Sequence, residues 1–105
     1  MAAFLAALPA PRPSRSRSPG AAVFAQAGCA ACHVPALTAR GGKAVRLYSD
    51  LLLHDMGRAL DDRVVQGSAA GADWRTTPLW GLGDRARFLH DGRARSIEAA
   101  TSGLA

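Results

Sequence analysis

The chain has 105 residues, of which 49% are hydrophobic. This length allows one domain and is too short for a second. It contains no run of about 18 apolar residues, and we therefore expect no transmembrane span. The net charge is +5, but the excess lies in an N-terminal tail, since residues 21–105 carry ten basic and eight acidic side chains, and we expect no nucleic-acid partner.

Residues 1–19 are predicted to form a linker or tail. The segment from Leu8 to Pro19 is rich in Pro, Arg and Ser, a composition typical of a polyproline-like connector whose charge keeps it solvated. A basic arm that touches phosphate is the alternative interpretation. Residues 1–10 are apolar like the central part of a signal peptide, but they lack the preceding Lys or Arg. We expect the folded domain to occupy residues 20–105.

The predicted fold is mostly α-helical, with short helices, long irregular loops and no sheet. Apolar spacing around Phe24 predicts a first helix over residues 21–32, which Pro35 would stop. Residues 38–43 contain a Gly-Gly pair and are predicted to form a loop. Residues 44–48 are predicted to form a short extended segment.

A second helix is predicted over residues 51–56. Ser49 is a suitable N-cap, and Asp50 would favour the positive end of the helix. Gly57 would end it as a C′ residue. The sequence therefore places three consecutive leucines in this helix.

The remainder of the chain is predicted to be irregular until its last few residues. Residues 61–73 are polar and interrupted by glycine, which indicates a loop, and residues 74–92 combine small residues with apolar anchors. A last helix is predicted to start at Ser96, with Glu98 early in it. Large apolar residues form only about a quarter of the chain, near the level at which an ordinary core becomes doubtful.

The strongest motif is Cys29-Ala30-Ala31-Cys32-His33, which holds both cysteines of the chain. Cys-x-x-Cys-His is the attachment pattern of c-type haem. Cysteines three residues apart project to one side of a helix and can form thioethers with two vinyl groups, while the following imidazole binds iron. We predict one covalently attached haem c, with Cys29, Cys32 and His33 as its binding residues and His33 as the metal ligand. The haem would also fill a core that large side chains fill poorly.

Three other interpretations of the motif are open. Structural zinc commonly needs a second Cys-x-x-Cys or a His pair, whereas His54 and His90 stand alone. A thiol–disulfide redox module using the Cys29/Cys32 pair is the main alternative, although the expected βαβ pattern does not accompany it. A purely structural disulfide would close too short a loop to stabilise the chain much.

Four motifs, taken in order, resemble the C-terminal haem domain of the di-haem oxidoreductase family, also labelled thiol oxidoreductases. The resemblance covers about residues 20–98, and the family is similar to bacterial di-haem cytochrome c peroxidases. The motifs are Cys29-Ala-Ala-Cys32-His33-Val34-Pro35, Tyr48-Ser-Asp-Leu-Leu-Leu-His54-Asp-Met56-Gly57, Trp74-Arg-Thr-Thr-Pro78-Leu-Trp80-Gly and Phe88-Leu-His90-Asp-Gly92-Arg-Ala.

This resemblance implies a cytochrome c-like domain in the periplasm that acts in electron transfer or peroxide-type redox chemistry. The sequence has one Cys-x-x-Cys-His motif, so the first haem domain of the family has no counterpart. We therefore expect a fragment. The resemblance also implies a distal iron ligand beyond the last motif, but no residue after Glu98 binds iron well, so we expect the domain to be incomplete at its C-terminal end. Its expected partner is a second haem domain or a redox protein. Peroxidase-like activity is expected only in a complete di-haem protein, and electron carriage otherwise.

The distal iron ligand is open from sequence: Met56, His54, His90 or none. Met56 would suit electron transfer, but a flexible core residue is the favoured interpretation of it. His54 lies next to Asp55 and could relay protons, although an exposed histidine is the commoner case. For His90, a contact with the haem pocket and a simple turn are equally open. No group of residues supports acid–base catalysis, so we predict no catalytic residue.

Overall fold

The regular elements are short in this computed structural model, which describes residues 1–11 and 19–102. Each has between two and seven residues. The helices are α1 (Ala2–Ala7), α2 (Gly20–Gln26) and α3 (Ile97–Ser102), with 3-10 turns at Cys29–Ala31 and Leu82–Asp84. The strands are β1 (Leu37–Thr38), β2 (Ala44–Val45), β3 (Leu53–Asp55) and β4 (Asp73–Arg75).

The strands form two separate two-stranded antiparallel sheets. In the first, β1 pairs with β2, and Leu37 lies opposite Val45. In the second, β3 pairs with β4, and His54 lies opposite Trp74. Thr76 extends this second pairing, since its N–H donates to the Leu52 carbonyl at 3.0 Å. Loops therefore make up most of the described chain, and the sheets hold them together.

The predicted mostly α-helical, cytochrome c-like fold is wrong. The largest error is the second predicted helix, because the chain forms strand β3 there instead. Ser49 and Asp50 do accept N–H groups two residues ahead, as capping residues can. Leu51 then takes a positive φ of 61°, which turns the chain away from a helix and into an extended path.

Three other local predictions, the first helix, the loop over residues 38–43 and the last helix, are confirmed. The first predicted helix is confirmed over α2, but Gly28 has a φ of 78° and ends it before the 3-10 turn. The loop over residues 38–43 is confirmed as the connection between β1 and β2. The last helix is confirmed as α3, and the Ser96 hydroxyl caps it by accepting the Ala99 N–H at 3.1 Å.

Few apolar side chains are buried. In the part of the chain that the structure describes, the buried apolar residues are Leu60 and Ala94, and the buried polar ones are Ser49 and Thr76. Ser49 is completely enclosed, at 0% exposed. Its hydroxyl donates to the Thr76 carbonyl at 2.6 Å, so a hydrogen bond rather than apolar packing joins these two segments.

The predicted linker over residues 1–19 is only partly described. Helix α1 lies in it, and Phe4 of this helix is 67% exposed. Residues 12–18, the centre of the predicted polyproline-like connector, lie outside the described residues, as do residues 103–105 at the end of the predicted domain. Within residues 1–11 and 19–102, the structure contains no helix with the length and apolar character needed to cross a membrane.

Candidate functional site

The Cys-x-x-Cys-His motif forms a tight turn directly after α2. Gly28 supplies the left-handed backbone conformation at this junction, with φ 78°. The 3-10 turn follows, and the His33 N–H donates to the Cys29 carbonyl at 2.9 Å. Cys29 and Cys32 are free thiols, and both are half-buried. The turn therefore presents two thiol groups and an imidazole within five consecutive residues.

The His33 ring is held by a backbone carbonyl. Its Nδ1 atom lies 2.8 Å from the carbonyl oxygen of Tyr48. A carbonyl can only accept, so Nδ1 carries the proton. In the neutral ring, Nε2 is then unprotonated and available as a metal ligand. Histidine ligands of metals usually have this second hydrogen bond, which fixes the tautomer and orients the ring.

Phe24 packs against the same imidazole. Its ring meets the His33 ring edge-on, with centroids 6.3 Å apart, and meets the Tyr48 ring edge-on at 5.8 Å. Edge-to-face contacts at such distances are favourable for aromatic rings. Phe24 lies in α2, so the helix before the motif helps to fix the histidine that ends it.

Backbone hydrogen bonds join the motif to residues 48–50. The Ser49 N–H donates to the Val34 carbonyl at 3.0 Å, and the Asp50 N–H donates to the Cys32 carbonyl at 2.9 Å. The two segments therefore run side by side. The second segment supplies the carbonyl that holds His33 and also delivers an acidic side chain next to Cys32.

Asp50 accepts several hydrogen bonds beside this turn. Burial raises the pKa of its carboxyl group. Hydrogen bonds from the Leu52 N–H, the Thr76 hydroxyl and His54 have the opposite effect and outweigh burial, so the pKa is lowered to about 2. The Leu52 N–H lies 2.9 Å from Oδ1. Asp50 is therefore a carboxylate at neutral pH.

His54 forms a hydrogen bond with Asp50. The sequence suggests Asp55, the next residue along the chain, as its partner. The His54 Nε2 atom lies 2.8 Å from Asp50 Oδ2 and must donate, because an ionised carboxylate can only accept. Asp55 instead accepts the Gly57 N–H at 2.8 Å. The Cys32 sulfur joins the pair: the ligand atoms of Cys32, Asp50 and His54 all lie within 4.8 Å of one another.

The other two candidate distal ligands lie in different surroundings. His90 is exposed and stacks on Trp74, with ring centroids 3.9 Å apart. The Trp74 indole N–H donates to the Leu60 carbonyl at 2.8 Å. Met56 is half-buried, and its N–H donates to the Ala72 carbonyl at 2.9 Å. Met56, His54, His90 or no ligand remain the predicted alternatives for the distal position.

The donor set of the motif fits a covalently bound haem. Two free thiols three residues apart are the groups that form thioethers, and the imidazole with its free Nε2 is the group that binds haem iron. The small number of buried apolar side chains also fits, because a porphyrin would supply apolar surface that the side chains lack. Cys29, Cys32 and His33 are thus the residues that could hold the group.

Sequence reasoning missed the supporting groups around this site. The Tyr48 carbonyl is a backbone atom, so its residue type carries no signal of its role. From sequence, Asp50 is expected to favour the end of a helix, although its spacing of four residues from His54 is also that of a paired acid and histidine. Thr76 was not singled out, and it reaches Asp50 only through the pairing of distant segments.

A comparison with protein families gives a match that covers nearly the whole chain. The profile of the family described as di-haem oxidoreductase matches residues 3–103. Neither the curated proteins nor the solved structures gave a significant match. The matched range includes the Cys-x-x-Cys-His turn, the segment that supports His33 and the Asp50–His54 pair.

Proposed function

The chain belongs to the di-haem oxidoreductase family, and on this premise we propose that it binds one haem c covalently and transfers electrons. The observation that carries the proposal is the state of His33. Its Nδ1 atom is occupied by the Tyr48 carbonyl at 2.8 Å, which leaves Nε2 for iron. The same five-residue turn holds the two thiols that thioether formation needs.

Each residue of the turn has a separate task in this proposal. Cys29 and Cys32 would hold the porphyrin through their sulfur atoms, and His33 would bind the iron on the proximal side. When bound, the haem supplies an iron that exchanges one electron between its ferric and ferrous forms. Phe24 and the Tyr48 carbonyl keep the imidazole in one orientation, which limits the rearrangement that accompanies electron transfer.

The proposed setting is the periplasm, where haem c attachment is completed in bacteria. The proposed partner is a second haem domain or a redox protein that exchanges electrons with this one. Peroxidase-like activity is proposed only for a complete di-haem protein, because a second haem would store an electron equivalent. The isolated chain would then act as an electron carrier.

Haem attachment can be tested directly. The chain is fused to a periplasmic signal peptide and co-expressed with haem-attachment machinery, and intact mass and a reduced pyridine spectrum are recorded. We expect the mass of one added haem and a c-type band. The Cys29→Ser/Cys32→Ser double variant should have neither, whereas Gln26→Ala, an exposed change on α2, should retain both.

A bare polypeptide from the wild-type chain would contradict the proposal. If that polypeptide contained two titratable thiols that cycle reversibly with a disulfide, the thiol–disulfide interpretation would replace it. Redox titration of the haem-loaded chain then tests electron transfer: one reversible one-electron step is expected, and an iron that does not change its oxidation state would exclude the function as a carrier.

A further inference from the structure

Three side chains that could bind a metal ion come together beside the Cys-x-x-Cys-His turn. They are Cys32, Asp50 and His54, whose ligand atoms all lie within 4.8 Å of one another. They come from three positions in the fold: Cys32 follows the 3-10 turn, Asp50 precedes β3 and His54 lies within β3. Asp50 and His54 are close in sequence, whereas Cys32 reaches them through tertiary structure.

The backbone holds the three residues in place. The Asp50 N–H donates to the Cys32 carbonyl at 2.9 Å, which fixes the distance between these two residues. His54 is opposite Trp74 in the β3–β4 sheet. The Asp50 carboxylate is aimed at His54, because its Oδ1 accepts the Leu52 N–H while Oδ2 faces the His54 Nε2 at 2.8 Å.

The donor types match those that zinc prefers. Thiolate sulfur, imidazole nitrogen and carboxylate oxygen all bind Zn²⁺ at about 2.0–2.3 Å in tetrahedral sites. That geometry separates neighbouring donor atoms by about 3.3–3.6 Å. The 2.8 Å between His54 and Asp50 would thus open by about half an ångström, a movement within the reach of side-chain rotation. Solvent can enter, since the His54 side chain is 33% exposed and that of Asp50 12%.

We propose that the haem-free chain binds one zinc-type divalent cation through the Cys32 sulfur, the His54 imidazole and the Asp50 carboxylate. On binding, the Cys32 thiol releases its proton to solvent and the His54 proton moves from Nε2 to Nδ1. The thiolate and carboxylate then balance the charge of the ion, and water completes a four-coordinate sphere. In the sequence His54 stands apart from the cysteines, whereas the fold places it beside Cys32 and so supplies a histidine ligand.

The ion and the haem would compete for one sulfur atom. This part of the inference rests on the proposed function, in which Cys32 forms a thioether and its sulfur is no longer a thiolate. The haem-free chain would bind the ion, and the haem-loaded chain would bind it much more weakly. Metal binding to the haem-free chain does not itself depend on haem attachment, so each can fail without the other.

The test is a Co²⁺ titration of the reduced, haem-free full chain, followed by displacement with Zn²⁺. We expect one Co²⁺ per chain, visible bands of a four-coordinate ion and a sulfur-to-cobalt charge-transfer band. The ligand changes Cys32→Ser, His54→Ala and Asp50→Asn should each weaken binding about tenfold or more. The matched changes Cys29→Ser and His90→Ala should leave affinity within about threefold, because neither residue belongs to the cluster.

X-ray absorption at the zinc edge tests the ligand set without substitutions that could disturb folding. One sulfur and at least one imidazole nitrogen per Zn²⁺ are expected. Two sulfur ligands, or equal losses from Cys29→Ser and Cys32→Ser with none from His54→Ala, would overturn the proposal in favour of a Cys29/Cys32 site. Failure of the wild-type chain to bind either ion would also overturn it. Equal affinity in the haem-loaded chain would overturn the competition.

Discussion

The carbonyl oxygen of Tyr48 lies 2.8 Å from Nδ1 of His33, although the two residues are fifteen positions apart. A second histidine has the opposite arrangement, because His54 uses Nε2 to reach the Asp50 carboxylate at 2.8 Å. The two rings therefore differ in which nitrogen atom carries the proton.

This difference predicts two tautomers in the haem-free chain. In the neutral rings, His33 should carry its proton on Nδ1 and His54 on Nε2. Nitrogen chemical shifts of the two rings would distinguish these forms. Asp50→Asn should change the signals of His54 and leave His33 in the Nδ1–H form, whereas an Nε2–H form of His33 in the wild-type chain would contradict the proposed ligand geometry.

Ser49→Ala should destabilise the chain because the Ser49 hydroxyl is fully enclosed. It donates to the Thr76 carbonyl at 2.6 Å and accepts the Leu51 N–H at 2.9 Å. Loss of both bonds leaves buried polar groups without partners, at a cost of about 1–3 kcal/mol. Denaturant unfolding followed by circular dichroism measures this. The control Ser102→Ala, on the exposed side of α3, should change stability by less than about 0.5 kcal/mol.

Gly71→Ala should be more harmful than Gly83→Ala. A Cβ atom at Gly71 would lie 2.5 Å from the Arg63 nitrogen and 2.7 Å from the Arg63 Cα, so the backbone would have to move. We expect a loss of about 1–3 kcal/mol or more. A Cβ at Gly83 would meet open space among the described residues. Equal stabilities of the two variants in the same unfolding assay would show that the loop at Gly71 is not packed as described.

The lowered pKa of the Asp50 carboxyl group predicts that the chain loses stability in acid. Burial raises its pKa, but the hydrogen bonds from Leu52, Thr76 and His54 outweigh that effect and lower it to about 2, below its ordinary value of 3.8. A depressed carboxyl pKa stabilises the fold above the unfolded-state value, and the contribution disappears as the pH falls through the folded-state value. Stability should therefore fall between about pH 4 and pH 2.

The substitution Asp50→Asn should flatten this part of the stability profile and lower stability at neutral pH. Unfolding curves recorded from about pH 2 to pH 7 provide the measurement. The same measurement on an Asp91→Asn variant provides a comparison, because the Arg93 backbone N–H and side chain lower the pKa of the Asp91 carboxyl group as well. An Asp50→Asn variant with the full wild-type acid dependence would show that other carboxyl groups cause it.

Local features of the fold were predictable where neighbouring residues decide them. The capping hydroxyl of Ser96 and the acidic Glu98 predict α3, and the Gly41-Gly42 pair predicts the loop between β1 and β2. The three proposed haem-binding residues, Cys29, Cys32 and His33, come from one motif, which the structure presents as a single turn after α2.

Strand β3 was not predictable from its own residues. Ser49 and Asp50 accept N–H groups two residues ahead in a manner that serves a helix cap and a turn equally. The deciding contact is the Thr76 N–H on the Leu52 carbonyl, which joins segments far apart in sequence. The sequence spacing could indicate the Asp50–His54 pair, but Cys32 joins it through the hydrogen bond from the Asp50 N–H to the Cys32 carbonyl, which connects segments far apart in sequence.

The scarcity of buried apolar side chains, with Leu60 and Ala94 as the buried ones among the described residues, determines how the haem-free chain responds to temperature. The heat capacity of unfolding follows the apolar area that becomes hydrated. A chain that buries little of this area has a shallow stability curve, so cooling would alter its folding equilibrium less than that of an ordinary domain of equal length.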